Sequence, residues 1–463
     1  MLGKETMAQQ KKWTLKACID QALEKNISLN ESKLNNEINK ISLSQAKANL
    51  YPNLNLSDGQ GFNFGRSVDP FTYLFTNQSI ATNNVALTSN VTLFNSFLNL
   101  NTVKQNELTY DAGKQDIEQA KNDISLNIAA AYVMVLSDYD AVDIAGAQVE
   151  ATLAQVDRTQ KYVDAGKLAE STLLQIQSQL ASDRLTKVNA ENQLQLDKVT
   201  LLQLMETPVT PDFEIERPQL NELTPVATPT TQIIYHTAES FLPQVKSAML
   251  KTNASEVNLK IANAQQLPKL SLGGTLRTGY SSGRSLLSSS TLYQQQTIGF
   301  LQSNPSEMVT GLVPTTVLNR ANYPFFQQFS DNFGQAISFT LTVPIFNNLQ
   351  AKGNIEKAKV NVLLGKLNEQ DVKNQVRKSV EQASTNLIAA EKKLAASQDQ
   401  LTSEERTYKD LEKKFNLGLV NATDFLVEKN NLSKASLNLV QAKYDYLFKT
   451  KVVDFYLGKT LTL

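Results

Sequence analysis

One histidine (His236), one cysteine (Cys18) and one tryptophan (Trp13) stand among 463 residues. A His/Cys metal site would lack a second imidazole, a Ser–His–Asp triad would rest on one residue, and an intrachain disulfide is impossible. There is no glycine-rich nucleotide loop either, so the chain is read as a non-enzyme that needs no cofactor. Lys+Arg and Asp+Glu both number 45, which gives no reason to expect nucleic acid. No apolar run approaches the roughly 18 residues of a membrane-spanning helix, although hydropathy is nearly blind to transmembrane strands. Met1 to Met7 carry no apolar core of the kind a signal peptide has, so an exported protein would have its signal missing from this sequence. Aromatic content is only 7% and hydrophobic content 41%, with Ala, Leu, Gln, Asn and Lys prominent; that is the balance of long amphipathic helices.

What is present is a repeat. Tyr162-Val163-Asp164-Ala165-Gly166-Lys167-Leu168 aligns with Lys414-Phe415-Asn416-Leu417-Gly418-Leu419-Val420, 252 positions on (166 to 418). The same offset pairs Phe94 with Phe346, Leu174 with Leu426, Leu180 with Leu432 and Leu201 with Val453. A repeat of that length implies two similar halves, and we divide the chain into residues 13–206, a Pro-rich linker over 207–231, and residues 232–458.

Each half reads helix, strand, loop, strand, very long helix, glycine turn, long helix. The first helix runs from Trp13 to about Tyr51 with an interruption near Asn26-Ile27-Ser28, and Pro52 closes it. Alternation then predicts strands over 53–64 and 84–93, and in the second half over 269–280 and 333–343. Leu54, Leu56, Phe62 and Phe64 share one face, as do Ile337, Phe339, Leu341 and Val343, with small or polar residues between. The segment 281–332, rich in Ser, Thr, Gln and Asn, is expected to be a long loop.

The helices give the strongest local signal. Val376, Val380, Ala383, Leu387, Ala390 and Leu394 step 4-3-4-3-4, and the pattern continues to Phe415; Ile124, Ile128, Ala131, Val135, Asp138 and Val142 occupy the same positions in the first half. This is the coiled-coil period, and polar seam residues such as Asp138, Thr152 and Ser397 suggest packing against two neighbours. From about Asn347 to Leu417 the helix would span roughly 100 Å at 1.5 Å per residue.

Four strands with one apolar face cannot close a barrel, and lipid forbids an open sheet edge. The strands must be shared among copies, and twelve from three chains falls in the range such barrels use. At this point the residues resemble the TolC family of outer-membrane efflux ducts over nearly the whole chain. Tyr51-Pro52-Asn53-Leu54-Asn55-Leu56 and Leu267-Pro268-Lys269-Leu270-Ser271-Leu272 match that family's passage from helix to strand; Val91-Thr92-Leu93-Phe94-Asn95 and Val343-Pro344-Ile345-Phe346-Asn347 match its passage from strand to helix. Phe415 to Leu426 resembles the tip of its second hairpin, followed by Gln441-Ala442-Lys443-Tyr444-Asp445-Tyr446-Leu447. The resemblance implies a mainly α fold with a β membrane portion: a trimer in the outer membrane lipid with a shared 12-stranded barrel and a helical periplasmic tunnel. It also implies a passive conduit for solutes or polypeptides, served by a periplasmic adaptor and an inner-membrane pump or secretion ATPase. The competing reading is a soluble periplasmic coiled-coil adaptor or scaffold.

Carried over residue by residue, the resemblance puts the adaptor-facing tips at Gly166, Leu168, Gly418 and Val420, where glycine also suits a helix end. It puts a tunnel gate at Asp424, with Thr172 as its counterpart in the first half. Val420 and Val427 stand where relatives have an arginine latch and a second acid, and Glu428 is the candidate substitute. Asp424 is equally explained as a first-turn acid favoured by the helix dipole. Cys18 is expected to be a buried helix cysteine, since Lys16 and the absence of an apolar stretch argue against an acylated N-terminus. His236 is expected to precede a helix as a structural or solvated residue, and Trp13, Phe71 and Tyr73 are candidate surface anchors.

Overall fold

The computed structural model describes residues 12–68, 73–77, 79–210, 212–218 and 229–461. In chain order its elements are α1 (Leu15–Lys25), α2 (Ile27–Ala48), β1 (Asn55–Asn63), β2 (Arg66–Val68), β3 (Phe75–Asn77), β4 (Ile80–Phe94), α3 (Leu98–Asp164) and α4 (Glu170–Leu204). Then follow α5 (Thr231–Phe241), α6 (Pro243–Ala264), β5 (Lys269–Ser281), β6 (Ser285–Leu301), β7 (Asn304–Asn322), α7 (Phe325–Asp331), β8 (Gly334–Thr342), α8 (Gln350–Asn416) and α9 (Ala422–Tyr456).

The repeat is legible in the element bounds. The helices α3 and α8 both have 67 residues, and α4 and α9 both have 35, every bound displaced by 252 (98 to 350, 164 to 416, 170 to 422, 204 to 456). The pair α1–α2 recurs as α5–α6 at a displacement of 216 instead (15 to 231, 48 to 264). Asn26 breaks the first pair and caps the second helix, its side-chain oxygen accepting from the Leu29 N–H at 3.0 Å; in the later pair Pro243 begins α6, where its missing donor costs nothing. The change of displacement is absorbed between the strands of the second half. There the expected loop 281–332 is a correction: it contains the two-stranded ribbon β6–β7 and the short helix α7. Its Ser, Thr and Gln residues read as loop by polarity, but Val and Thr recur along β7 and pair regularly with β6. Likewise β4 begins at Ile80 rather than 84: residues 80–83 pair with residues 60–63 of β1, and the Asn83 side chain donates to Asp58 (2.8 Å) and Gln60 (3.2 Å) across that pair.

The described residues fall into two units. The one holding Ser44–Val103 and Asn258–Lys357 is built on a four-stranded antiparallel sheet in the order β1-β4-β5-β8. Register sets Leu56 opposite Leu87, Leu87 opposite Leu276, Leu272 opposite Phe339 and Leu270 opposite Leu341. One face is therefore mostly Leu, Val, Ile and Phe, with Asp58, Gln60 and Asn83 grouped toward one end of it and Gln335 among the apolar residues, while the other is mainly Asn, Ser, Thr, Gly and Ala with Lys269 and Arg277. The apolar face is uncovered: Leu56 is 72% exposed, Ile337 77% and Phe339 68%.

The other unit, from Met1–Leu43, Lys104–Val257 and Ala358–Leu463 where described, is helical. One core packs Ile128, Tyr132, Val135 and Leu136 of α3 against Leu194, Leu201 and Leu202 of α4, Leu447 of α9 and Cys18 of α1. A second packs Val376, Val380, Ala383, Leu387 and Ala390 of α8 against Ile234 of α5 and Val453 of α9, so the seam read from 4-3 spacing is the buried stripe. Cys18 is fully enclosed, and burial pushes its thiol up to about 12, which leaves it unreactive. Trp13 is not a surface anchor: its ring lies 6.2 Å from Phe213, its N–H donates to the Glu214 carbonyl, and its carbonyl accepts from Glu216 N–H. Phe213 and Ile215 are buried, so this part of the proline-containing segment is pinned to the helices, while 219–228 lie outside the described residues. Phe71 also lies outside them, whereas Tyr73 is exposed at φ 55. His236 lies within α5 rather than before it, mostly exposed and 3.9 Å from the Glu239 carboxylate.

Candidate functional site at the hairpin ends

Within the helical unit, α3 turns into α4 and α8 turns into α9 through five-residue links, 165–169 and 417–421. Gly166 has φ +69 and Gly418 φ +73, and an added Cβ would meet nothing within 4 Å at either. The requirement is thus for a left-handed backbone, not for space. In both turns the glycine N–H returns to a carbonyl three residues back, and the next N–H to one five residues back: Lys167 to Tyr162 at 2.8 Å, Leu419 to Lys414 at 2.9 Å. That closes each long helix with a Schellman motif. Leu168 and Val420 are half-buried on the far side of the turns, while Leu417 and Leu419 are exposed at 74% and 72%.

The helices that leave the turns start differently. Asn421 caps α9: its side-chain oxygen accepts from Asp424 N–H at 2.8 Å, and its amide donates to the Asp424 carboxylate at 2.9 Å. Asp424 is exposed in the first helical turn, with the geometry of a capping pair. The equivalent of Asn421 is Ala169, which makes no side-chain cap, and Thr172, in the place of Asp424, is half-buried. Asn421→Ala is therefore expected to cost about 1 kcal/mol of stability and Ala169→Asn to recover a similar amount, read from chemical denaturation followed by helical circular dichroism.

Glu428 does not join Asp424. It is 8% exposed, and one of its carboxylate oxygens has no hydrogen-bond partner. Burial, and then the bond to and charge of Glu404, hold its carboxyl above the usual carboxylate range. One turn farther from the tip, α8 supplies that neighbour, whereas Asp424 is still in the open. Val427 is exposed at 55%.

Side chains to which the sequence reading gave no such role clamp the two hairpins together. Phe415 and Phe425 stack at 4.7 Å and 8°, and with Ala422 they enclose Ile176 of α4. Arg158 donates to Asn416 at 2.9 Å, and Gln179 to Asn430 at 3.0 Å. Farther in, Lys429 of α9 donates to the Thr152 hydroxyl of α3, which donates to Asp183 of α4, and the Lys429 ammonium lies 3.7 Å from that carboxylate. All three residues are buried. Desolvation lowers the Lys429 pKa, and Asp183 partly offsets it. The one available signal was Thr152, a polar residue on an apolar seam.

Asp138 is another such interruption. Burial, then the bond to and charge of Asp197, push its carboxyl up to about 7. The folded state holds this proton more tightly than the unfolded chain, where an aspartate titrates near pH 4. Its contribution is therefore full below about pH 4 and is lost as pH rises through about 7. Asp138→Asn is expected to match the parent near pH 4 and to exceed it by about 1–2 kcal/mol near pH 8, after discounting for partial exposure; denaturation midpoints at the two pH values check this.

A family model described as "Outer membrane efflux protein" matches residues 18–206 and 234–459. Among solved structures, CusC, studied for folding and transmembrane channel formation, superposes with a TM-score of 0.77 at 16% identity, covering 98% of this chain and 96% of that one. The outer membrane protein VceC from Vibrio cholerae gives 0.76 at 16% identity, covering 96% of both chains. The open state of the Neisseria gonorrhoeae MtrE outer membrane channel gives 0.70 at 17% identity, covering 96% of this chain and 89% of that one. No curated protein sequence matches.

Proposed function

The chain belongs to the outer membrane efflux protein family, and from that membership we infer how its parts work as an efflux channel of the outer membrane that extends into the periplasm. The observation that carries the reading is the four-stranded sheet, predominantly apolar on one face, mainly small and polar on the other, with β1 and β8 as its edges. In lipid those edges must pair with the edges of further copies; three chains give a closed barrel of twelve strands with a polar lumen. A soluble adaptor or scaffold would have no use for that sheet. Among the described residues no helix is long and apolar enough to cross a membrane; what supports a spanning role for the strands is the exposed, mostly apolar face of the sheet.

The halves 13–206 and 232–458 act as two quasi-equivalent wall segments joined through 207–231. The tips at Gly166, Leu168, Gly418 and Val420 meet a periplasmic adaptor and, through it, an inner-membrane pump or ATPase that drives solutes or polypeptides through the duct. Asp424 lines the narrow entrance with Thr172, three acids around one axis favouring cations over anions. Glu428, buried one turn farther in beside Glu404 of α8, stands behind that entrance and does not line it. Deleting the gene is expected to sensitise the cell to antibiotics, dyes or metal salts, or to stop export of a secreted polypeptide, with rescue by the wild type and not by Gly418→Val. Unchanged susceptibility and export profiles would contradict this reading.

A further inference from the structure

The strand β8 begins at Gly334, opposite Arg277, so the last residues of β5 run on beyond its end. There α7 takes the place of a strand. The Gln328 amide donates to the Ser281 carbonyl at 3.1 Å, and its oxygen accepts from Ser281 N–H at 3.0 Å, as a neighbouring strand would. Asn332 donates to the Gly279 carbonyl at 2.7 Å, and the Thr278 hydroxyl donates to the Phe329 carbonyl at 2.5 Å. Gln328 is 1% exposed; this short helix is fastened to the sheet.

Its other side is aromatic. Phe325 lies 5.0 Å from Tyr280, stacks on Phe329 at 4.6 Å and meets Phe326 edge-on at 5.4 Å. Alternation along β5 places Thr278 and Tyr280 on the face of Leu272 and Leu276, which is the apolar face of the sheet. Phe326 is nevertheless 84% exposed. At the opposite end of that face Phe94 pairs with Leu270 and meets Phe97 edge-on at 6.0 Å. From Leu270 to Tyr280 is ten residues of strand, about 34 Å, or roughly 25 Å along the membrane normal at a tilt of about 40°. Two aromatic groups at that separation, with Val85, Leu87 and Ile337 between them and Ser89, Gln335 and Thr278 interspersed, are spaced like the girdles that bound the apolar band of a membrane barrel, and Asn83, opposite Tyr280, lies at the level of the outer group.

We propose that α7 is a lipid anchor: Phe325, Phe326 and Phe329 occupy the boundary between headgroups and acyl chains of the outer leaflet, continuing the lipid-facing side of the sheet past the end of β8. The occupant is lipid because the aromatic surface is continuous with the face that lipid covers and stands one bilayer core from Phe94. This rests on the sheet's spanning the membrane, and the test separates the two. Cys18 is buried and will not react, so a nitroxide can be attached at Phe326→Cys, at Ile337→Cys on the lipid face, or at Leu312→Cys on β7 as the water reference, in protein reconstituted into phosphatidylcholine vesicles. Power saturation reads collision with oxygen, which concentrates in acyl chains, against a water-soluble nickel chelate. The expected order of the oxygen-to-nickel ratio is Ile337 highest, Phe326 next and Leu312 lowest. A high ratio at Ile337 with Phe326 equal to Leu312 overturns the anchor and keeps the barrel. Equal ratios at all three sites overturn both. Because Phe326 is largely exposed, its replacement leaves folding intact, and Phe326→Trp emission quenched by brominated lipid provides an independent reading.

Discussion

Replacing Lys429 with alanine is expected to destabilise the helical unit by about 3–5 kcal/mol, the range for breaking a buried ion pair. Lys429 is 3% exposed and Asp183 6%, so truncating the lysine leaves a carboxylate out of water with only the Thr152 hydroxyl and the Gln179 amide (2.7 Å) for partners. The pair itself is worth far less than that figure, because desolvating both ions offsets most of their attraction. Lys429→Met combined with Asp183→Leu is accordingly expected to fall within about 1.5 kcal/mol of the parent. Denaturation of the two variants followed by circular dichroism checks both values; a single variant as stable as the parent would mean that the lysine is solvated. The link occurs once per chain, since the repeat partners of Lys429, Thr152 and Asp183 are Gln177, Glu404 and Ala435.

On the sheet, Ile337→Arg is expected to cost about 2–4 kcal/mol in folding into bilayers, the range for a charge on the lipid face near the midplane. Thr340→Arg, on the opposite face and toward the polar lumen, is expected to cost little. Urea titrations of both variants in phospholipid vesicles provide the comparison. Equal penalties, or the reverse order, would assign the wrong face to lipid.

The sequence revealed what periodicity can carry. The 4-3 seam from Val376 to Ala390 became a buried stripe, the alternation of Ile337, Phe339 and Leu341 became one exposed face, and Gly166 and Gly418 took left-handed turns. It was silent where geometry is imposed on residues that carry no mark of it. Ser96 and Phe97, and again Asn348 and Leu349, adopt positive φ ahead of the long helices, and Glu206 takes at φ 50 the role that Gly458 fills in the second half. No glycine announces those turns. The clamp of Lys429, Thr152 and Asp183 joins helices far apart in the chain, and no local pattern encodes such a contact. The ribbon β6–β7 was hidden because Ser, Thr and Gln read as loop until pairing is known. At the tips, Asp424 was legible as a helix-start acid, but its cap by Asn421 became visible only with coordinates.

The most direct test of the central claim, that β1 and β8 close onto further copies to complete a membrane barrel, is electron microscopy of the detergent-purified protein. Particles with three-fold symmetry, a short barrel and a long tube are the expected result. Monomers that stay soluble without detergent would contradict it, for they would leave the apolar face of Leu56, Ile337 and Phe339 in water.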